Sequence, residues 1–154
     1  MDTTTSGQRS CTRALAHQLI CASHARPADN VTIAGTQHLE ILIELIRHGV
    51  CHAQCCTVDH GPHTAMPPAD ILIAPNVRSD VELSNLLDRL GSELRPRGVL
   101  VFCCAPSDSV ARDRNLRRVL IERGFATVER TAAHGDVGAL WCAHKQPASL
   151  RHAA

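Results

Sequence analysis

The chain has 154 residues, 44% hydrophobic and 20% charged, a globular balance that excludes a disordered chain and a fibre. Basic and acidic residues number 16 and 15, and the formal charge of +1 leaves no global field to recruit nucleic acid or membrane. With two Phe, one Trp and no Tyr, platforms for stacking bases are scarce.

Ser10 caps an expected first helix to about Ala25, with Leu15, Leu19 and Ala22 on one face and Pro27 beyond its end. A short β-rich run, Asn30 to Ala34, stops at Gly35. From Thr36 to His48, Leu39, Leu42, Ile43 and Ile46 fall at helical spacing, and Ile41 and Leu45 widen that face. Only Glu40, Glu44, Arg47 and His48 remain polar, so this helix is expected to be mostly buried, with Gly49 as its stop. A strand from Ala53 to Asp59 leads into a loop rich in proline.

Asp70 to Ala74 is nearly all apolar, the pattern of a strand covered on both faces. Asp80 caps a helix with Leu83, Leu86, Leu87, Leu90 and Leu94 on one face, ended by Pro96 to Gly98. Val99 to Cys104 is the most strongly β segment. Ser107 or Ser109 opens a helix through Leu116, Val119 and Leu120 to Arg123, and Gly124 stops it. Its Arg112 to Arg123 stretch carries +3, read as a solvated face with Asp113–Arg117 and Arg118–Glu122 as pairs one turn apart. Strands at 126–131 and 139–144 flank a last turn.

Strands alternating with helices predict an α/β three-layer sandwich with a mainly parallel sheet of about six strands. The last connection is too short for a crossover, so the final strand is antiparallel. The expected organisation is a helical extension over 1–29, one α/β domain over 30–146 and a frayed tail over 147–154. The opening MDTTTSGQRS has no apolar core, and no run approaches a membrane span, so a cytoplasmic protein is expected. Its eight cysteines are then expected to be thiols.

Leu94-Arg95-Pro96-Arg97-Gly98-Val99-Leu100 and Leu120-Ile121-Glu122-Arg123-Gly124-Phe125, with the closing antiparallel strand, resemble the class I S-adenosylmethionine-dependent methyltransferases. The resemblance runs from about Asn30 to Lys145, with Arg97 where the family has a second glycine. It implies a ligand crevice at the carboxyl ends of the strands, where the strand order reverses. It also implies a cofactor site at Gly35, Thr36, Asp59 and Asn76, with His38 or His60 as general base. The family's cofactor loop, Asp/Glu-x-Gly-x-Gly-x-Gly, is degenerate here. Aligned on Gly35, the acid becomes Ile33 and the later glycines become Gln37 and Leu39.

Only ten residues separate Asp59 from Asp70, too few for the family's usual helix and third strand. The strand over 53–58 is then left on the sheet edge, where unpaired backbone groups invite a homodimer or a protein partner unless the following loop covers them. A non-catalytic methyltransferase-like binding module is therefore the leading expectation. The alternative is an active methyltransferase using S-adenosylmethionine through an atypical loop. A further alternative is a metal- or redox-responsive protein built on Cys51, Cys55, His60 and His63, since thiolates and imidazoles are the ligands zinc prefers.

Overall fold

The computed structural model describes residues 4–36, 38–56, 67–107, 109–133 and 138–147, with side chains from Arg13 onward. The elements are α1 (Thr4–Ser23), β1 (Asn30–Ala34), α2 (His38–Arg47), β2 (His52–Cys56), β3 (Ala69–Val77), α3 (Asp80–Leu90), β4 (Leu94–Cys104), α4 (Val110–Glu122), β5 (Phe125–Ala132) and β6 (Ala139–Lys145). The strands form one six-stranded sheet in the order β2-β1-β3-β4-β6-β5. β2, β1, β3 and β4 run parallel, and β6 runs antiparallel to both its neighbours. The final strand thus inserts between β4 and β5, and β2 ends the sheet among the described residues.

Strand alternation sends successive side chains into opposite layers. Val31, Ile33, Ile71, Ile73, Val101 and Cys103 pack under α1 and α2. Leu72, Ala74, Leu100, Phe102, Cys104 and Trp141 pack under α3 and α4. The adjacent thiols of Cys103 and Cys104 therefore lie in two different cores, where burial pushes them up to about 11 and about 12. Phe102 and Trp141 are register partners across β4 and β6, stacked with ring centres 5.8 Å apart, and Arg117 lies over the Trp141 ring.

Several boundaries differ from expectation for clear reasons. Leu94 belongs to β4 rather than α3, because the helix stops at Leu90 and the backbone turns through Gly91. Ser79, not Asp80, caps α3, its hydroxyl accepting from the Glu82 N–H at 3.1 Å. Ser109 caps α4 in the same way. Arg97 adopts φ +68, the left-handed turn the resemblance assigns to glycine, so the turn survives without its usual residue. Asp113 pairs with Arg130 of β5 at 2.8 Å, not with Arg117, which donates to the Val128 carbonyl instead; Arg118 and Glu122 do pair, at 3.9 Å.

The largest departure is the face that α2 turns inward. Ile41, Glu44 and Leu45 are buried, whereas Leu39, Ile43 and Ile46 are 58%, 42% and 64% exposed. Both stripes have helical spacing, and the narrower one meets α1 and the sheet. Glu44 tolerates this position because His17 and Arg47 each approach its carboxylate at 3.2 Å. Burial opposes its charge, but the His17 and Arg47 hydrogen bonds and the Arg47 charge outweigh that and hold its carboxyl below the usual value. Among the described residues no helix is long and apolar enough to cross a membrane.

Candidate functional site

The chain leaves β1 outward to β2 and returns across it to β3, so the strand order reverses between β1 and β3. A crevice of about 520 Å³ opens there, walled by Gly35 and Thr36 after β1, by Pro75 and Asn76 of β3, and by one face of α3. Gly35 and Thr36 are brought together with Asn76, some 40 residues later, on the walls of this crevice. Gly35 sits at φ +114, a conformation that side chains rarely adopt, and its N–H donates to the Cys56 carbonyl at 3.1 Å. This turn is why a glycine persists at the end of β1.

His38 begins α2 but does not wall the crevice. Its Nδ1 lies 3.2 Å from the Gly35 carbonyl, which can only accept, so Nδ1 carries the proton and fastens the turn. The Nε2 lone pair is what remains for chemistry. Asp59, His60 and His63 lie outside the described residues. Cys51 precedes β2 and Cys55 lies near its end, about 13 Å apart at the rise of a strand. Both are exposed, and two sulfurs on one zinc sit under about 5 Å from each other, so these two thiols do not converge on one ion. Burial pushes the Cys55 thiol up, and burial with the neighbouring Cys55 does the same to Cys56, the reverse of an activated cysteine.

Sequence reasoning missed the α3 wall. Ser79, Val81, Glu82, Asn85 and Arg89 line it, joined by Arg78. The signal was present as Ser79-x-x-Glu82, the pattern of a capping box. Glu82 Oε2 accepts the Arg78 N–H at 2.8 Å, so the one carboxylate on the described walls is engaged in holding the helix start. Two guanidinium groups, of Arg78 and Arg89, complete the charge. At the loop position where the family carries its acid, Ile33 is fully buried and belongs to the α1/α2 core on the other side of the sheet. Leu39, in the place of a glycine, points to solvent.

No family model matches this chain, and no curated protein matches it. Solved structures do. TrmN from Thermus thermophilus superposes with a TM-score of 0.62 at 17% identity, over 86% of this chain and 48% of TrmN. N-methyltransferase NodS from Bradyrhizobium japonicum, in complex with S-adenosyl-L-homocysteine, gives 0.59 at 14% identity over 88% of this chain and 87% of NodS. The fold is methyltransferase-like. Human N-acetylserotonin methyltransferase, in complex with S-adenosylmethionine, gives 0.57 at 13% identity over 88% of this chain. This methyltransferase-like chain spans about half the length of TrmN and of the human enzyme, 48% and 52%. At these identities the likeness is one of fold, and the chemistry has to be argued from the crevice itself.

Proposed function

We propose that the chain is a methyltransferase-like module that does not transfer methyl groups and instead binds a second copy of itself through the β2 edge and the adjoining face of α2. The observation that carries this reading is the row of Leu39, Ile43 and Ile46 left in solvent on a helix packed against β1 and β2. A contiguous aliphatic stripe on a helix beside a strand edge that is unpaired among the described residues is costly to leave in water. A two-fold contact would cover both with the same surface from each partner.

The crevice supports the non-catalytic half of the reading. S-adenosylmethionine carries a sulfonium cation, and the described walls offer it two guanidinium groups and one carboxylate already engaged by the Arg78 N–H. The loop keeps one glycine of three, and Ile33 supplies no acid. These residues do not fit the cofactor, so no transfer step is assigned to His38.

Calorimetric titration with S-adenosylmethionine and its demethylated product tests the first half, and no heat is expected. Micromolar binding, about −8 kcal/mol, would overturn it and return Gly35, Thr36 and Asn76 to a cofactor site. Light scattering tests the second half. Because Cys56 accepts from Gly35, alternation turns the backbone groups of Ala53 and Cys55 outward. A dimer is expected, broken by Ala53→Pro or Ile46→Ser without loss of fold. A monomeric parent protein would refute self-association.

A further inference from the structure

Three side chains on the opposite side of the molecule from the crevice walls of α3 converge without any role in the reading above. His17 and Cys21 lie one turn apart on α1, and His48 follows the end of α2. Their ligand atoms all lie within 4.8 Å of one another. Cys21 Sγ is 3.5 Å from His17 Nε2. A nitrogen at about 2.0 Å and a sulfur at about 2.3 Å from a tetrahedral zinc are themselves about 3.5 Å apart.

The two imidazoles are already oriented as ligands. His17 Nδ1 lies 3.2 Å from Glu44 Oε1, and His48 Nδ1 lies 3.0 Å from the Glu44 main-chain carbonyl. Both partners accept, so each ring carries its proton on Nδ1 and presents the Nε2 lone pair outward. A carboxylate or carbonyl behind the imidazole is the usual outer-shell support of a metal-bound histidine. Arg47 occupies the other carboxylate oxygen of Glu44 at 3.2 Å, which leaves Oε1 for His17. The rings are tilted by 46° at 5.5 Å, so they are not stacked on each other. All three ligands are exposed, and drawing them together requires about 1 Å of side-chain movement.

We infer that His17 Nε2, Cys21 Sγ and His48 Nε2 form a surface site for a zinc-class divalent cation, with water in the fourth position and Glu44 as the residue that positions the imidazoles. Binding transfers one proton from the Cys21 thiol to solvent as the thiolate forms its bond to the metal. The ion would cross-link α1 to the end of α2 and so fasten the first helix to the sheet. This inference is independent of the state of the crevice.

The test is titration of the reduced, chelator-treated protein with Co²⁺, followed by displacement with Zn²⁺. One equivalent is expected, with a thiolate-to-cobalt charge-transfer band and a melting temperature that rises with added metal. Cys21→Ser should abolish the band, and His48→Ala should weaken binding by about tenfold or more. Glu44→Gln should weaken it by about 10–100-fold while leaving the band in place at saturation. The double variant Cys51→Ser/Cys55→Ser should behave as the parent. The ligands are exposed, so each metal-free ligand variant should melt with the parent, which separates a lost ligand from a lost fold. Absence of saturable binding, a band that survives Cys21→Ser, or one lost in the Cys51/Cys55 variant would each overturn the assignment.

Discussion

β2 shares a sheet with β1, β3, β4 and β6, yet this edge is built to a different tolerance from the inner strands. The inner strands β1, β3, β4 and β6 are filled on nearly every position. β3 is buried along most of its length, α3 and α4 are both capped by serine, and Phe102 stacks on Trp141. At the edge, β2 is short and half-exposed; large aliphatics in water occur on both sides of the sheet, Leu39, Ile43 and Ile46 on α2 and Val81, Val110 and Ile121 on α3 and α4. The inner strands make the scaffold, and the edge is the face on which the proposed self-association rests. In this fold the closed core is made by the inner strands, β1 included.

That contrast is open to direct attack, beginning with the tightest point. Trp141→Ala, at a fully buried residue, should cost about 3–5 kcal/mol in urea unfolding. A cost below about 1 kcal/mol would mean the inner strands are not the scaffold. Next comes pH. Cys103 and Cys104 are raised by burial from 9.0 to about 11 and about 12. Their contribution is fully present below 9.0, and it declines above that because the unfolded chain ionises first while the folded chain keeps its protons. Urea melts at about pH 8 and about pH 10 should show this loss, and a Cys103→Ala/Cys104→Ala variant should show a smaller one.

A smaller effect is expected at the turn before β4. Arg97→Gly relieves a side chain held at φ +68 and should raise stability by about 1 kcal/mol. An unchanged or lowered midpoint would show that the arginine holds the turn by some contact of its own. Smallest of all, Ile43→Ser on the exposed face of α2 should leave the unfolding free energy of the monomer within about 0.5 kcal/mol. A large loss there would make α2 part of the scaffold and remove the distinction.

The later half was the more legible in sequence. Its continuous apolar runs, its leucine stripe on α3 and its two family-like turns each point to one structure, and the strands near Ile71, Val101, Thr127 and Leu140 form as expected. β1 and β2 were placed too, and the position of β2 at the edge of the described sheet agrees with counting ten residues between Asp59 and Asp70. The inward face of α2 was not legible. Leu39, Ile43 and Ile46 make as good a stripe as Ile41 and Leu45, and only the position of α1 decides between them. Burial of Glu44 depends on His17, which is 27 residues away in sequence. The same distance hides the His17, Cys21 and His48 group, whereas the Cys51 to His63 run looks dense in sequence although its Cys51 and Cys55 are spread along a strand. Of the crevice, Gly35, Thr36 and Asn76 were legible by resemblance, while the α3 wall required reading Ser79-x-x-Glu82 as a cap.

Lys145 is the chain's single lysine. Its ammonium donates to the Gly91 carbonyl at 2.6 Å and to the Leu94 carbonyl at 2.5 Å, tying the end of β6 to the turn between α3 and β4. An ammonium committed in this way cannot act as a nucleophile until that corner opens. Amine acylation of this side chain would therefore serve as a clock for breathing of the scaffold, one lysine reporting one local opening.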